Sequence, residues 1–255
     1  MFRELYRYRW LLYELVLRDV IIRYRGSVLG VLWTLLTPLL FVAIYIVVFS
    51  FFLHVNIPHY AVFLIGGLLP WQWFATALQT ATNSIVEGRV YVTNSILAPV
   101  VLVVVPILSS FVQFLLSFGI ALVVAHFFHV HLGWSMVALP LLFAVQMMLT
   151  MALALFLATL NVFYRDATQL VAVLLALLFY LIPIVYPLTL VPERFRSYVT
   201  ADPMTTLVLS YQQIFYKDAF PDWLFFLYSL GVSLGLLYLG RLTFNRYKEL
   251  FADYI

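Results

Sequence analysis

The sequence contains no cysteine, which excludes disulfides, thiolate metal sites and a cysteine nucleophile. Charge is nearly as scarce. Only 10% of the 255 residues are Asp, Glu, Lys or Arg, where soluble domains carry roughly a quarter. With 65% of the residues hydrophobic, there is too little polar surface to cover a water-soluble globule, so the solvent is lipid. No G-x-x-x-x-G-K-[ST] and no Gly-Lys pair occur, so the chain does not cradle the phosphates of ATP by itself. H-E-x-x-H is missing too. The apolar runs hold none of the carboxylates, lysines or arginines that a proton relay or general base needs at membrane depth. If the chain moves something, the free energy comes from outside it. A cleavable signal peptide is not expected, because Arg3, Glu4, Arg7 and Arg9 stand where its apolar core would be.

The uncharged stretches are long. About 20 apolar residues span a bilayer, and six such segments are expected at 28–53, 60–86, 99–125, 137–163, 167–187 and 223–242. No charge separates Arg89 from Arg165, a distance that requires two spans and a turn. Basic residues then set the orientation. Arg3, Arg7, Arg9, Arg18, Arg23, Arg25, Arg89, Arg165, Arg241, Arg246 and Lys248 fall on one side of a six-span topology, and Arg194, Arg196 and Lys217 on the other. Both termini are therefore expected in the cytoplasm.

Two segments read as helical without spanning. On a wheel of residues 3–25, Arg3, Glu4, Arg7, Glu14, Arg18 and Arg25 share one side, while Trp10, Leu12, Leu15, Val16, Val20 and Ile21 fill much of the rest. That pattern suits a helix lying in the membrane interface, with Glu14–Arg18 and Asp19–Arg23 in the favourable acid-first spacing. Residues 192–221 predict two short outer helices, with Asp202 as an N-cap and Pro192 and Pro203 at first helical positions. The turn SIVEGRVYVTNSILAP reads as a solvated loop or, since it carries a short apolar run between polar ends, as a small helix with a face to bury against a partner.

Other features admit two readings each. His126, His129 and His131 are loop histidines or a metal site, and Gly26-x-x-x-Gly30 and Gly231-x-x-x-Gly235 are chance pairs or helix-packing faces. Trp33, Phe41, Tyr45 and Phe49 recur at multiples of four through the first span. Such rings suit lipid-facing packing or a stripe that contacts sugar faces. Phe179, Tyr180 and Tyr186 cluster near Pro183 and Pro187 at the end of the fifth span. Together with Phe41, Tyr45 and Phe49 they are the candidate lining of a channel.

The stretch RDVIIRYRGSVLGVLWTLLTPLL resembles the N-terminal signature of the ABC-2 type exporter permeases of cell-surface polysaccharides. The similarity continues in NSIVEGRVYVTNSILAPVVLVVVP, FYRDATQLV, FYLIPIVYPLTLVP and ADPMTTLVLSYQQIFY. The resemblance implies an all-α membrane protein: residues 1–27 as an amphipathic interface helix, and residues 28–255 as a six-span domain with a cytoplasmic coupling helix and short outer re-entrant gate helices. It implies a homodimer in the inner membrane, paired with two copies of a separate ATPase that holds ATP and Mg, so this permease needs no cofactor of its own. The substrate it implies is a lipid-linked polysaccharide such as O antigen, with a drug or small lipid as the alternative. Glu87, Arg89, Tyr91, Asn94, Ile96 and Leu97 would couple to the ATPase, together with Arg18, Asp19, Arg23 and Arg25. The family often has Asn before the outer Pro-Met and Arg a few residues on, where this chain has Asp202 and Gln212–Gln213.

Overall fold

A computed structural model describes residues 2–26, 29–52, 57–94, 96–127 and 133–255, and the regular structure among them is entirely helical. Helices α1 (Phe2–Arg7) and α2 (Arg9–Tyr24) precede α3 (Trp33–Ile46), which continues through a π-helical stretch, Val47–Phe52. Then come α4 (Tyr60–Glu87), α5 (Arg89–Thr93), α6 (Pro99–Phe127), α7 (Leu139–Phe163) and α8 (Ala167–Leu181). The last four are α9 (Glu193–Thr200), α10 (Pro203–Lys217), α11 (Trp223–Tyr247) and α12 (Phe251–Tyr254). Four segments are long and apolar enough to cross a membrane: Tyr60–Glu87, Pro99–Val123, Trp134–Phe163 and Trp223–Tyr247. Leu39–Phe49 and Ala167–Leu181 are apolar but shorter.

Helix α4 is the hub, packed against α6, α7, α8, α10 and α3. Its small residues let neighbours approach. Ala77 and Ala81 are fully buried, and a Cβ on Gly66 would lie 3.2 Å from Phe215 Cβ. One on Gly67 would lie 2.8 Å from Gln212 Nε2. Pro70 stands inside α4 without breaking it, and its carbonyl accepts from the fully buried Gln146 amide at 2.8 Å. Helix α11 packs chiefly on α7, where Gly240 abuts the Ala152 carbonyl. The glycine pairs of the sequence motifs behave otherwise. Gly26 and Gly30 have φ of +82° and +48° and serve turns, while Cβ atoms at Gly231 and Gly235 would meet nothing within 4 Å.

Helix α8 ends at Leu181, short of the expected 187. Proline disfavours helical geometry in the residue before it, and Ile182, ahead of Pro183, has ψ 135°. The unwound residues are nonetheless buried, with Ile182, Ile184 and Val185 at most 2% exposed. Buried carbonyls need donors, and two side chains supply them. Gln212 donates to the Pro183 and Ile184 carbonyls at 3.0 and 3.3 Å. The Tyr60 hydroxyl donates to the Val185 carbonyl at 2.6 Å, and the Tyr186 hydroxyl lies 2.9 and 3.0 Å from the last α8 carbonyls, Tyr180 and Leu181.

The outer segment expected over 192–221 divides in two. Helix α9 has no buried residue, whereas α10 is wedged among α4, α11 and α7 and buries Tyr211 completely. Asp202 caps α10, accepting from the Thr205 amide at 2.7 Å and its hydroxyl at 2.9 Å. Past α10, Asp218 accepts from the Gly133 amide at 3.1 Å and the Ser135 hydroxyl at 2.7 Å. That pins the start of the α7 segment to the end of α10. Gly133 is needed here, because a Cβ would run into the Asp218 carboxylate.

Helix α11 continues to Tyr247, past the expected 242, and the chain then folds back as α12. Four residues cannot hold a helix alone. Burial holds this one: Phe251 is fully enclosed, 5.4 Å from the Phe244 ring and 6.4 Å from Phe163, while Tyr254 lies 4.9 Å from Phe163.

Candidate functional site

At the end of the molecule that carries the chain termini, the expected coupling residues sit on two supports. Helix α5 packs on α12 and on the end of α4, and Val92 is its one buried residue. Arg89, Val90, Tyr91, Thr93 and Asn94 are exposed, as is Ile96 just beyond, while Leu97 is half-buried. The Asn94 amide caps its own turn on the Val90 carbonyl at 2.8 Å. Glu87 accepts from Asn83 at 2.7 Å, and it is the first member of a polar chain. Asn161 of α7 donates to Asn83 at 3.3 Å and accepts from the Thr168 hydroxyl of α8 at 2.9 Å. Gln79 closes the chain on the Thr168 carbonyl at 3.2 Å. The exposed turn after α4 is thereby tied to the α7–α8 turn.

Helix α2 packs along α6, the helix that follows α5. Arg18 and Arg25 are exposed and Asp19 is half-buried, while the side chain of Arg23 lies outside the described residues. The wheel's single apolar face is in fact two. Tyr8, Leu12 and Leu15 pack on the core, whereas Trp10 and Ile21 are 73% and 63% exposed. A wheel cannot tell an apolar face that meets protein from one that meets lipid. The Arg9 guanidinium lies 4.6 Å from the Tyr6 ring, at the edge of that exposed apolar strip.

The two groups of aromatics that the sequence placed far apart form one strip. Phe41, Tyr45 and Phe49 meet in succession with ring centroids 6.4 and 6.3 Å apart, the first pair stacked and the second tilted. Tyr45 of α3 then meets Phe179 of α8 at 5.7 Å, and Phe179 meets Tyr180 at 5.2 Å. Phe41 and Tyr180 are exposed, and Tyr45, Phe49, Phe179 and Tyr186 are half-buried. Tyr186 joins through its hydroxyl, which is committed to the end of α8. Sequence reasoning missed the α4 members: Tyr60 lies 6.3 Å from Phe49, and Trp71 6.1 Å from Phe179. A signal for them existed, since Tyr60, Phe63, Trp71 and Phe74 share one face of a helix with 3.6 residues per turn. The strip is a run of ring faces without a charge, suited to many weak contacts rather than to a bond-making step.

Among the described residues, no group of three His, Asp or Glu side chains could hold a metal. His129, His131 and the side chain of His126 lie outside the described residues.

The described residues form a bundle of long apolar helices with the short helices α5 and α12 at one end. Residues 11–216 match the ABC-2 type transporter family, and the chain belongs to it. It is 37% identical over 255 residues to the O-antigen export system permease protein RfbA of Myxococcus xanthus, an alignment covering 99% of this chain and 98% of that one. A protein of the same name from Klebsiella pneumoniae is 31% identical over 238 residues, covering 92% and 91% of the two chains. The polysialic acid transport protein KpsM of Escherichia coli is 22% identical over 237 residues, covering 88% and 84%.

Proposed function

We propose that this chain is the permease subunit of an ATP-driven exporter, moving a lipid-linked polysaccharide, O antigen or a similar glycan, from the cytoplasm across the inner membrane. The observation that carries this reading is the end-to-end similarity to a permease named for O-antigen export. The uncharged aromatic strip through Tyr45 and Phe179 adds physical support. Two subunits form the channel, and two copies of a separate ATPase bind and hydrolyse ATP with Mg. Helix α5 is the coupling helix, α2 the interface helix, and α9 with α10 the outer gate.

In this reading α3 and α8 complete six spans. Helix α8 rises only about 22 Å at 1.5 Å per residue, short of a hydrocarbon core of about 30 Å. The unwound residues 182–187 make up the difference, which is permissible at membrane depth because Gln212 and Tyr60 satisfy buried carbonyls of this segment. Both termini, Arg89 and Arg165 face the cytoplasm, and Arg194 faces outward.

Two measurements test this. Cells lacking the gene should accumulate inside them a lipid-linked glycan, identifiable by mass spectrometry, that is missing from their surface. Normal surface display would overturn the export role. Because the chain has no cysteine, single cysteines at positions 89, 165 and 194 report sidedness cleanly. Labelling of position 89 from outside would overturn the topology.

A further inference from the structure

The last residues of the chain have no role in the reading above, yet several of their side chains are anchored into this end of the molecule. Lys248 Nζ lies 3.2 Å from Glu4 Oε1, so the turn after α11 is tied to the N-terminal helices. Phe251 is fully buried between Phe244 of α11 and Phe163 of α7. Tyr247 and Tyr254 flank the same Phe163 ring at 5.6 and 4.9 Å. On its other side α12 is the main support of α5, whose buried Val92 turns inward while Arg89, Val90 and Tyr91 face out. A displacement of α5 therefore meets two routes into the bundle. One is covalent, through the ends of α4 and α6. The other is through α12 into α7 and α11, which the chain itself does not connect to α5.

We propose that residues 248–254 form a strap that transmits movement of α5 to α7 and α11, with Phe251 as the positioning residue that holds the strap rigid. An aromatic wedge suits this because a close-packed interior passes on displacement rather than absorbing it. Removing the ring leaves a cavity into which α12 can shift. The proposal rests on α5 being the docking helix for the ATPase.

The test uses the full permease–ATPase complex in vesicles, with co-purification of the ATPase, ATP hydrolysis and glycan export measured on one preparation. Phe251→Ala should assemble with the ATPase and hydrolyse ATP within about twofold of the wild type, while exported glycan per ATP falls at least tenfold. Phe251→Leu, which refills most of the space, should recover most of that ratio. A merely structural residue would lower assembly, hydrolysis and export together and leave the ratio unchanged, and that outcome overturns the proposal. A wild-type ratio in Phe251→Ala overturns it as well. Ile96→Asp, just past the exposed side of α5, separates this failure from that of the underlying reading. If Ile96→Asp still binds the ATPase, α5 is not the docking helix. If Ile96→Asp loses binding while Phe251→Ala keeps a wild-type ratio, only the strap is wrong.

Discussion

The Gln212 side-chain amide donates a 3.0 Å hydrogen bond to the Pro183 carbonyl, joining α10 to the unwound end of α8 across 29 residues of sequence. The same amide reaches the Ile184 carbonyl at 3.3 Å, and Gly67 leaves the room it occupies. Gln212→Leu should strand two buried carbonyls and cost about 1–3 kcal/mol, read as a lower unfolding temperature of the purified complex. Gly67→Ala should act in the same direction, because its methyl meets both the amide and the Ile184 backbone. Unchanged unfolding in both variants would mean that the α8 end finds other donors.

Burial shifts Asp202 in the direction that disfavours its charged form. Burial raises its pKa from the ordinary 3.8, against the hydrogen bonds from Thr205 that lower it. With the folded value above the unfolded one, ionisation favours the unfolded chain. The contribution is fully present below about pH 4 and is lost as pH rises through the folded value. Asp202→Asn keeps an acceptor for the Thr205 amide and removes the ionisation. Its stability at neutral pH should match or exceed that of the wild type, and its stability curve should be flatter above pH 4. A marked loss at pH 7 would show that the cap needs the charge.

The long helices were legible because an uncharged run of 20 residues in lipid has to close its hydrogen bonds within itself. The bounds of α4, α6 and α7 fall within a few residues of those runs. The aromatic face of α3 was legible as a period of four, since ring spacing on one helix is a local property. What it meets was not. Phe179 lies 134 residues beyond Tyr45, and nothing in either neighbourhood names the other. The strap was illegible for the same reason, since FADY is too short and too mixed to predict a helix, and Phe163 holds it from 88 residues away. Glycine spacing leaves chance pairs and packing faces both open. Gly26 and Gly30 are turn residues, while the close approaches belong to Gly66, Gly67 and Gly240, which match no motif the sequence offered.

The exposed side of α5 carries the third prediction. Val90 and Tyr91 of α5 and Ile96 just beyond it are 57%, 41% and 56% exposed. Arg89→Glu, or Gly at both Ile96 and Leu97, should leave insertion intact and weaken ATPase binding. Truncating apolar anchors at a docking surface commonly costs more than about 1 kcal/mol each, or about fivefold in Kd per anchor. Titration of the purified ATPase against vesicles holding each variant measures this. Wild-type binding and export in both variants would remove α5 from the docking surface.

The aromatic strip carries the last. If Phe41, Tyr45 and Phe49 line the path of a sugar polymer, their value lies in flat, uncharged faces that bind weakly at many points. Leu at all three positions keeps apolar bulk and removes the faces. It also breaks the ring contacts Tyr45–Phe179 and Phe49–Tyr60, at roughly 0.5–1.5 kcal/mol each, so a loss of export in this variant alone could reflect looser packing. Tyr180 resolves the ambiguity. It belongs to the same strip through Phe179 yet is 69% exposed, so Tyr180→Leu removes a ring face at little cost to the core. Both variants should assemble with the ATPase and hydrolyse ATP at near wild-type rates, with glycan export down at least tenfold in the triple variant and severalfold in Tyr180→Leu. Rings that only pack would give a different pattern, with the triple variant less stable and Tyr180→Leu silent. Rings that only face lipid would leave export untouched in both.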